Sequence, residues 1–407
     1  MEHPIKPYVL DPSGQDIHGE AARLRARGNI TRVDLCGVPA WAITSYEALR
    51  SILGDPRVSR DPRQHWPAWI NGEIPSNWPL FTWLEAENMF TAHGPQHRRL
   101  RSVVAKALTP ARIEALQPRI QEITDDCLDS MTALRDRIVD LRTVYAQEIP
   151  VRVFCELMGI TDAGLRDRMC GCVQSLFHTA RKPDEVLATH NEIHDILVTI
   201  IDRKRAAPGD DLTSALIHAR AEEGDARLTE KELVGSVLVM MMGGYETTAN
   251  LLANAIHIAL VRPDQMALLR NGTVSWNDMI EETLRFQSPV ANLPLRFAVD
   301  DIDVGGVIIA KGDAIVAPLA AAGRDPLFYG ADADQFDATR NNKKNLAFGY
   351  GIHYCIGAPL ARVEAQIALP SLFRRYPGVT LAAEGGRLEP QRSVIMNGFR
   401  TLPVRIC

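Results

Sequence analysis

The chain has 407 residues, 46% hydrophobic and 23% charged, a composition typical of a folded protein with a large buried core rather than a disordered one. Its 45 Lys and Arg against 50 Asp and Glu give a formal charge of -5 without a long basic run, which argues against a nucleic-acid partner. The N-terminal residues contain neither the apolar core of a signal peptide nor about 18 continuous apolar residues, so we expect a cytoplasmic protein without a membrane segment. Length alone favours two or three domains, but no linker or internal repeat interrupts the chain, so one large domain is an equally good expectation.

Apolar spacing predicts a fold that is mainly α with minor β. From about residue 94 to 290 the pattern is mostly helical, with apolar residues three and four apart in Arg112–Leu134 and Asp184–Arg205. Three strand-like runs indicate a small sheet region: Val38–Ile43, Ile302–Val316 and Thr401–Ile406.

The segment Asp61–Phe90 carries four of the six tryptophans, interleaved with four prolines. We predict an irregular loop, and so aromatic a segment is unlike disordered sequence. Two interpretations stay open: the loop covers the core, or it lines a ligand cavity.

The segment Thr229–Leu260 predicts one helix of about 30 residues, long enough to cross the domain. Within it lies the run GGYETT, and each glycine costs about 1 kcal/mol relative to alanine. A flat cofactor pressed against Gly243 would offset that cost, because glycine allows close approach. Glu246 and Thr247 are polar groups in an apolar stretch, which favours a proton path. In the alternative interpretation Thr247 only hydrogen-bonds to a carbonyl of its own helix.

Seven cysteines are scattered along the chain with no CxxC pair, which argues against a disulfide framework or a structural zinc site. Cys355 differs from the rest because it lies among glycines in FGYGIHYCIG, residues 348–357, just before a helix-like stretch. Backbone N–H groups and the helix dipole at that point favour a thiolate. The residues alone leave a metal ligand, a nucleophile and a buried thiol as alternatives.

The run FGYGIHYCIG resembles the haem-binding loop of the cytochromes P450, FGxGxHxCxG in its bacterial form. Glu282 and Arg285 match the family's ExxR, and Arg324-Asp325-Pro326 resembles the stretch that leads to the haem loop, so the resemblance covers most of residues 93–362. It implies the cytochrome P450 fold as a single domain over residues 1–407, with the long central helix over haem b and Cys355 as the axial thiolate ligand. In the family ExxR is structural, and an ion pair between residues three apart on a helix is the simpler expectation too.

The same resemblance implies further contacts with the haem. His97 and Arg101 match the family's HxxxR pair and, with Arg296 and His353, would bind the haem propionates. For any one of these basic residues alone a solvated surface role is the simpler interpretation. The remaining residues expected at the haem are Phe348, Gly357 and Gly243.

GGYETT resembles the family's (A/G)GxE/DTT signature, which implies that Glu246 and Thr247 deliver protons to dioxygen. The departures at Gly243 and Tyr245 leave the acid and the alcohol in place. Family architecture also implies a mostly apolar substrate pocket, although many of its positions are equally readable as core. Its expected residues are Trp83, Phe177, Met240, Val290, Asn292, Leu293, Ile395 and Met396.

The resemblance therefore implies a monooxygenase that oxidises an apolar small molecule, and we expect hydroxylation of a steroid or polyketide-type natural product. Oxidative C–C or C–N coupling of an aromatic substrate, such as a tryptophan-containing cyclic dipeptide, shares every oxygen-activating residue and stays open. A non-catalytic haem-binding sensor and a peroxide-driven enzyme are further alternatives. We expect a monomer that receives electrons from NAD(P)H through a ferredoxin and a ferredoxin reductase. Two interpretations of Arg98, Arg99, Lys343 and Lys344 stay open: a basic docking face for the ferredoxin, or exposed charges without a partner.

Overall fold

The computed structural model describes residues 6–133, 138–219, 228–383 and 387–406. Helices form most of it, and short strands form three small sheets, so the prediction of a mainly α fold with minor β is confirmed. The helices are α1 (Ile17–Arg27), α2 (Tyr46–Gly54), α3 (Pro62–His65), α4 (Pro67–Ile70), α5 (Phe81–Glu85), α6 (Gly94–Ala107), α7 (Pro110–Thr132), α8 (Glu148–Met158), α9 (Ala163–Phe177), α10 (Pro183–Ala206), α11 (Leu212–His218), α12 (Glu230–Gly243), α13 (Glu246–Val261), α14 (Pro263–Arg270), α15 (Trp276–Phe286), α16 (Leu319–Ala322), α17 (Pro326–Tyr329) and α18 (Ala358–Arg375). The strands are β1 (Tyr8–Val9), β2 (Ile30–Leu35), β3 (Val38–Ile43), β4 (Val58–Ser59), β5 (Ile138–Asp140), β6 (Asn292–Ala298), β7 (Ile302–Val304), β8 (Val307–Ile309), β9 (Ala314–Pro318), β10 (Thr380–Leu381) and β11 (Pro403–Arg405).

The largest sheet has six strands in the order β1-β2-β3-β9-β6-β4. Strands β2 and β3 form a hairpin whose two turn residues, Cys36 and Gly37, both have positive φ, the geometry that suits the twist of a tight hairpin. Strand β6 pairs with β9 on one side and β4 on the other, and its register shifts between Leu293 and Arg296. Strand β6 thereby brings a basic side chain to the interior of the protein, since Arg296 is buried.

The predicted helices over Arg112–Leu134 and Asp184–Arg205 are confirmed as α7 and α10, with Leu134 outside the described residues. Within the described ranges no helix combines the length and apolar character that a bilayer crossing needs.

The prediction of one long central helix is wrong. The capping box between Thr229 and Glu232 does start a helix, but α12 ends at Gly243 and α13 begins at Glu246. A Cβ on Gly244 would lie 2.3 Å from the ring of Phe154, and Tyr245 leaves helical geometry with φ -141°. Two adjacent glycines weaken the helix, and the packing of α8 against this point fixes where it breaks.

The tryptophan-rich segment is more ordered than the predicted irregular loop, because it contains the three short helices α3, α4 and α5. Trp66 and Trp78 are buried in the core, where Trp66 stacks on Phe297 of β6 at 5.0 Å between ring centroids. Trp83 lies at a cavity described below. Both open interpretations are thus correct for different residues of the segment.

Helix α15 is fastened by a buried ion pair between Glu282 and Arg285, at 2.7 Å with both side chains fully buried. Arg285 also donates hydrogen bonds to the carbonyls of Gly323, Ala333 and Gln335, each at 2.8 Å. Glu282 accepts the backbone N–H of Asp337 at 2.9 Å. The pair therefore ties α15 to the segment that leads into the cysteine loop, a structural role in agreement with the prediction.

We expect Arg285→Leu to lower the free energy of unfolding by about 3–5 kcal/mol, because it leaves the Glu282 carboxylate buried without its main partner. The double variant Glu282→Gln/Arg285→Leu should recover part of this loss, since no charged carboxylate is then left. Urea unfolding followed by far-UV circular dichroism measures both. A single variant within about 1 kcal/mol of the wild type would contradict the assignment.

Candidate active site

A cavity between α12, α13 and the cysteine loop brings together most of the residues singled out in the sequence. Its wall contains Cys355 and Phe348 of the loop, Gly243 and Thr247 of the broken helix pair, and Arg101 of α6. Cys355 is exposed to this space, whereas Cys127, Cys155 and Cys172 are buried. The structure thus sets one cysteine apart from the others, as the glycine-rich sequence around it predicts.

The local fold of residues 348–357 presents the sulfur. The backbone N–H of Cys355 donates to the carbonyl of Phe348 at 2.9 Å, which closes the loop. Gly351 has φ +73°, and a Cβ there would lie 2.7 Å from the carbonyl oxygen of Leu53, so only glycine lets the loop pack on α2. Gly357 then caps α18.

Two opposing effects act on the Cys355 thiol. Although the residue borders the open cavity, desolvation by the surrounding protein raises the pKa of this thiol, while the backbone N–H groups of Gly357 and Ala358 and the charge of Arg101 lower it. The N–H groups thus favour a thiolate against the cost of desolvation. A metal ion bound at the sulfur would remove the proton.

Beside the loop lies a cluster of basic side chains, which we call the basic cluster: Arg60, His97, Arg101, Arg296 and His353. The rings of His97 and His353 are 4.2 Å apart between centroids. Burial, together with Arg101 and Arg60, lowers the pKa of His97 to about 4, and burial lowers that of Arg296 to about 10. Arg101 donates one hydrogen bond to the carbonyl of Tyr354 at 2.7 Å.

The basic cluster contains six buried nitrogen atoms that have no hydrogen-bond partner among the described residues. They are Nε and Nη2 of Arg60, Nδ1 and Nε2 of His97, Nη1 of Arg296 and Nε2 of His353. Buried polar groups are rarely left unpaired, so these atoms indicate an anionic ligand. Haem, with two propionate carboxylates, fits this cluster on one side and the sulfur of Cys355 on the other.

On the opposite wall, the helix break shapes the surface. A Cβ on Gly243 would meet nothing within 4 Å, so the backbone is open to the cavity there, as expected for close approach of a flat group. The hydroxyl of Thr247 faces the cavity and donates to the carbonyl of Gly243 at 3.3 Å. Thr247 therefore borders the cavity and bonds across the helix break to the last residue of α12, and the proton path stays a prediction.

Glu246 does not line the cavity. Its Oε1 atom accepts hydrogen bonds from Arg142 Nη2 and from Gln391 Nε2, the latter at 2.7 Å, in a fully buried arrangement. Its Oε2 atom is buried and has no partner among the described residues. Arg142 belongs to the π-helical segment Arg142–Gln147, and sequence reasoning did not single it out as the partner of this acid.

Six of the eight residues predicted for the substrate pocket line the cavity: Trp83, Phe177, Met240, Val290, Leu293 and Ile395. The other two, Asn292 and Met396, do not line it. The side-chain amide of Asn292 donates to the carbonyl of Val394 at 2.7 Å, so it fastens two chain segments together. Met396 is fully buried next to Ile395, and successive side chains of an extended segment point to opposite faces.

Met240, Met241 and Met242 are consecutive in α12, so the helical period turns them to different sides of the helix. Met240 and Met242 line the cavity, whereas Met241 is buried in the core. Sequence reasoning missed a further aromatic residue of the wall, Phe154, and the buried acid Glu364 of α18. No local pattern marks these two.

Two of the four predicted docking charges are engaged within the protein. Arg99 pairs with Glu232, and Lys343 donates to Asp278 at 2.9 Å. Arg98 and Lys344 are exposed. The predicted face of four available charges is therefore wrong for Arg99 and Lys343.

Comparisons with known proteins agree with the geometry of the site. The family model described as "Cytochrome P450" matches residues 172–273 and 276–397. The 2-hydroxy-5-methyl-1-naphthoate 7-hydroxylase of Streptomyces carzinostaticus is 41% identical over 98% of this chain and 97% of that protein. The cytochrome P450 monooxygenase PikC of Streptomyces venezuelae is 38% identical over 98% of this chain and 94% of that protein.

Among solved structures, CYP154A1 of Streptomyces coelicolor A3(2) is similar with a TM-score of 0.94 and 44% identity, over 98% of this chain and 100% of that chain. The fold expected from the cysteine loop and the ExxR motif is therefore confirmed.

Glu364 gives the site a pH dependence that can be measured. Burial raises the pKa of Glu364 to about 8, and its Oε2 atom has no partner among the described residues. An acid whose pKa is raised in the folded state destabilises the folded protein increasingly as the pH rises from its unfolded pKa toward its folded pKa. The free energy of unfolding of the wild type should therefore fall between about pH 4.5 and 8.

We expect the neutral variant Glu364→Gln to gain stability relative to the wild type as the pH rises through that window. Urea midpoints of the haem-loaded proteins at pH 5.5 and 8.5 measure the difference, with the exposed Glu114→Gln on α7 as control. Parallel curves for wild type and Glu364→Gln would show that Glu364 is ionised in the folded protein.

Proposed function

Because this chain belongs to the cytochrome P450 family, we propose that it hydroxylates a mainly apolar, ring-containing natural product of the steroid or polyketide type. It is a haem-thiolate monooxygenase whose reaction draws electrons from NAD(P)H. The observation that carries the proposal is that Cys355 and many aromatic and aliphatic side chains line the same cavity. The relative from Streptomyces carzinostaticus, named for a naphthoate, supports a ring-containing substrate.

Cys355 would hold the haem through its sulfur, and His97, Arg101, Arg296 and His353 would receive the propionates. When bound, haem would supply the activation of dioxygen. The protein orients the group by holding its acidic edge at His97, Arg101, Arg296 and His353, next to the loop that presents the sulfur. A ferredoxin and its reductase are the proposed electron donors.

Proton supply is assigned to Thr247 and Glu246. The Thr247 hydroxyl borders the cavity and donates its only proton to the Gly243 carbonyl, so it must release that hydrogen bond to pass a proton to a reacting oxygen. Glu246 follows directly behind it in the chain but is engaged by Arg142 and Gln391. To supply Thr247, the Glu246 carboxylate must therefore leave at least one of these two partners.

The substrate is positioned mainly by apolar contact. Trp83 packs edge-on against Phe177 with 4.9 Å between ring centroids, and both line the cavity. The indole N–H of Trp83 is buried and has no acceptor among the described residues. A carbonyl or hydroxyl oxygen on the substrate would supply that acceptor, in agreement with an oxygenated steroid or polyketide.

The direct test is a spectrum followed by product analysis. We expect the reduced, CO-bound protein to show the strongly red-shifted Soret band of thiolate-ligated haem, and Cys355→Ser to lose it while Cys36→Ser, whose cysteine does not line the cavity, keeps it. Turnover of candidate steroids and macrolides with a surrogate ferredoxin system should give products heavier by one oxygen. Loss of two hydrogens would indicate coupling instead, and a normal spectrum without any product would indicate a passive haem protein.

Trp83→Phe should weaken binding of the accepted substrate about three- to tenfold, the range of a neutral hydrogen bond. The same change should leave the affinity for an analogue without the bonded oxygen nearly unchanged, because the apolar surface is largely kept. Spectral titration of ferric protein measures both constants. Trp69→Phe is the matched control, since Trp69 does not line the cavity. Equal losses for both ligands would mean that Trp83 acts by packing alone.

A further inference from the structure

Arg60 is a buried arginine whose charge the protein does not compensate. Its residue surface is 3% exposed, and its Nε and Nη2 atoms have no hydrogen-bond partner among the described residues. The guanidinium carbon lies 3.2 Å from the centroid of the Phe90 ring, a cation–π contact that stabilises only part of the charge. A buried ion without a partner costs several kcal/mol, so this arrangement needs a further explanation.

The neighbouring strand adds a second charge at the same place. Strands β4 and β6 are antiparallel, with Val58 opposite Ala298 and Ser59 opposite Phe297. Arg60 directly follows β4, and Arg296 of β6 is also buried and has an unpaired Nη1 atom. Burial and the charge of Arg296 both lower the pKa of Arg60. Two like charges in the interior repel each other strongly, because water is excluded there.

The acids closest in sequence do not relieve this repulsion. Asp61, the neighbouring acid, is engaged by Arg63, at 3.0 Å from its Nε atom. Among the residues that the structure describes, no carboxylate forms an ion pair with Arg60 or Arg296. The other members of the basic cluster, His97, Arg101 and His353, are themselves donors. An anion from outside the chain would satisfy both arginines at once.

We propose that Arg60 is a carboxylate-binding residue that shares one ligand carboxylate with Arg296. Arg60 lines the same cavity as Cys355 and belongs to the basic cluster, which places a haem propionate first. A carboxylate on the substrate is the other source of the same chemistry. This inference rests on the proposed function only in that a haem is bound, and it adds to the four propionate residues that the family resemblance implies.

The test compares haem retention in Arg60 variants. Ferric holoprotein is mixed with excess apomyoglobin, and the rate of haem transfer is followed in the Soret region. We expect Arg60→Gln to lose haem about ten- to hundredfold faster than the wild type, the range of one charge-assisted hydrogen bond. Arg60→Lys, which keeps the charge but not the planar fork, should lie between them. Arg57→Gln, on the same segment but exposed and paired with Asp55, is the matched control.

A second arm identifies the carboxylate. Wild type and Arg60→Gln are reconstituted with iron protoporphyrin dimethyl ester, and if a propionate is the partner, the difference in transfer rate should disappear. If haem transfer is unchanged in Arg60→Gln but 2-hydroxy-1-naphthoate binds at least tenfold more weakly, and its methyl ester does not, the partner is a substrate carboxylate. Unchanged haem transfer together with unchanged naphthoate binding would overturn the proposal.

Far-UV circular dichroism of each variant separates these outcomes from misfolding, and Arg60→Lys provides the comparison if Arg60→Gln does not fold. A wild type without a thiolate-haem spectrum would instead contradict the proposed function, before any Arg60 variant is compared.

Discussion

The folded structure depends on how the positive charge of each buried arginine is compensated. Arg285 is fully buried, but the chain supplies everything it needs: the carboxylate of Glu282 and three backbone carbonyls. Arg60 and Arg296 are buried to a similar extent and keep unpaired nitrogen atoms. The first kind of arginine completes the fold without a ligand. The second kind makes the folded state depend on one, because a ligand that binds only the native state stabilises it by mass action.

The two walls of the cavity have different roles in the proposed reaction. The cysteine loop must hold one sulfur in one place, and its glycines allow a tight turn packed on α2. The opposite wall must leave room and supply protons, and there the helix is interrupted. Because the ring of Phe154 excludes any side chain at Gly244, the break falls between α12 and α13 and leaves Gly243 and Thr247 facing the cavity. The interruption thus shapes the wall on which we place the proton supply.

How far the sequence predicts this site depends on the range of the interactions. The residues around Cys355 and the pair Glu282–Arg285 are short patterns whose spacing already dictates a geometry, so they could be predicted. The helix break could not, because Gly244 is fixed by Phe154, about ninety residues earlier in the chain. Asn292 was misplaced because pocket and core residues alternate along an extended segment. Arg60 gives no local signal, since the pairing of β4 with β6 brings this residue, just after β4, under the influence of the Arg296 charge.

Two acids near the cavity show that burial alone does not decide what a carboxyl group can do. Glu246 lies outside the cavity wall, where it is ion-paired with Arg142 and hydrogen-bonded to Gln391. Glu364 lines the cavity without a partner for Oε2, and burial raises its pKa to about 8, so near neutral pH it holds a proton. The chain thus supplies partners for one buried acid and leaves the other open to the cavity. An unpaired, protonated carboxyl group can donate a hydrogen bond to whatever occupies the cavity, whereas an acid already held by an arginine must first exchange that partner.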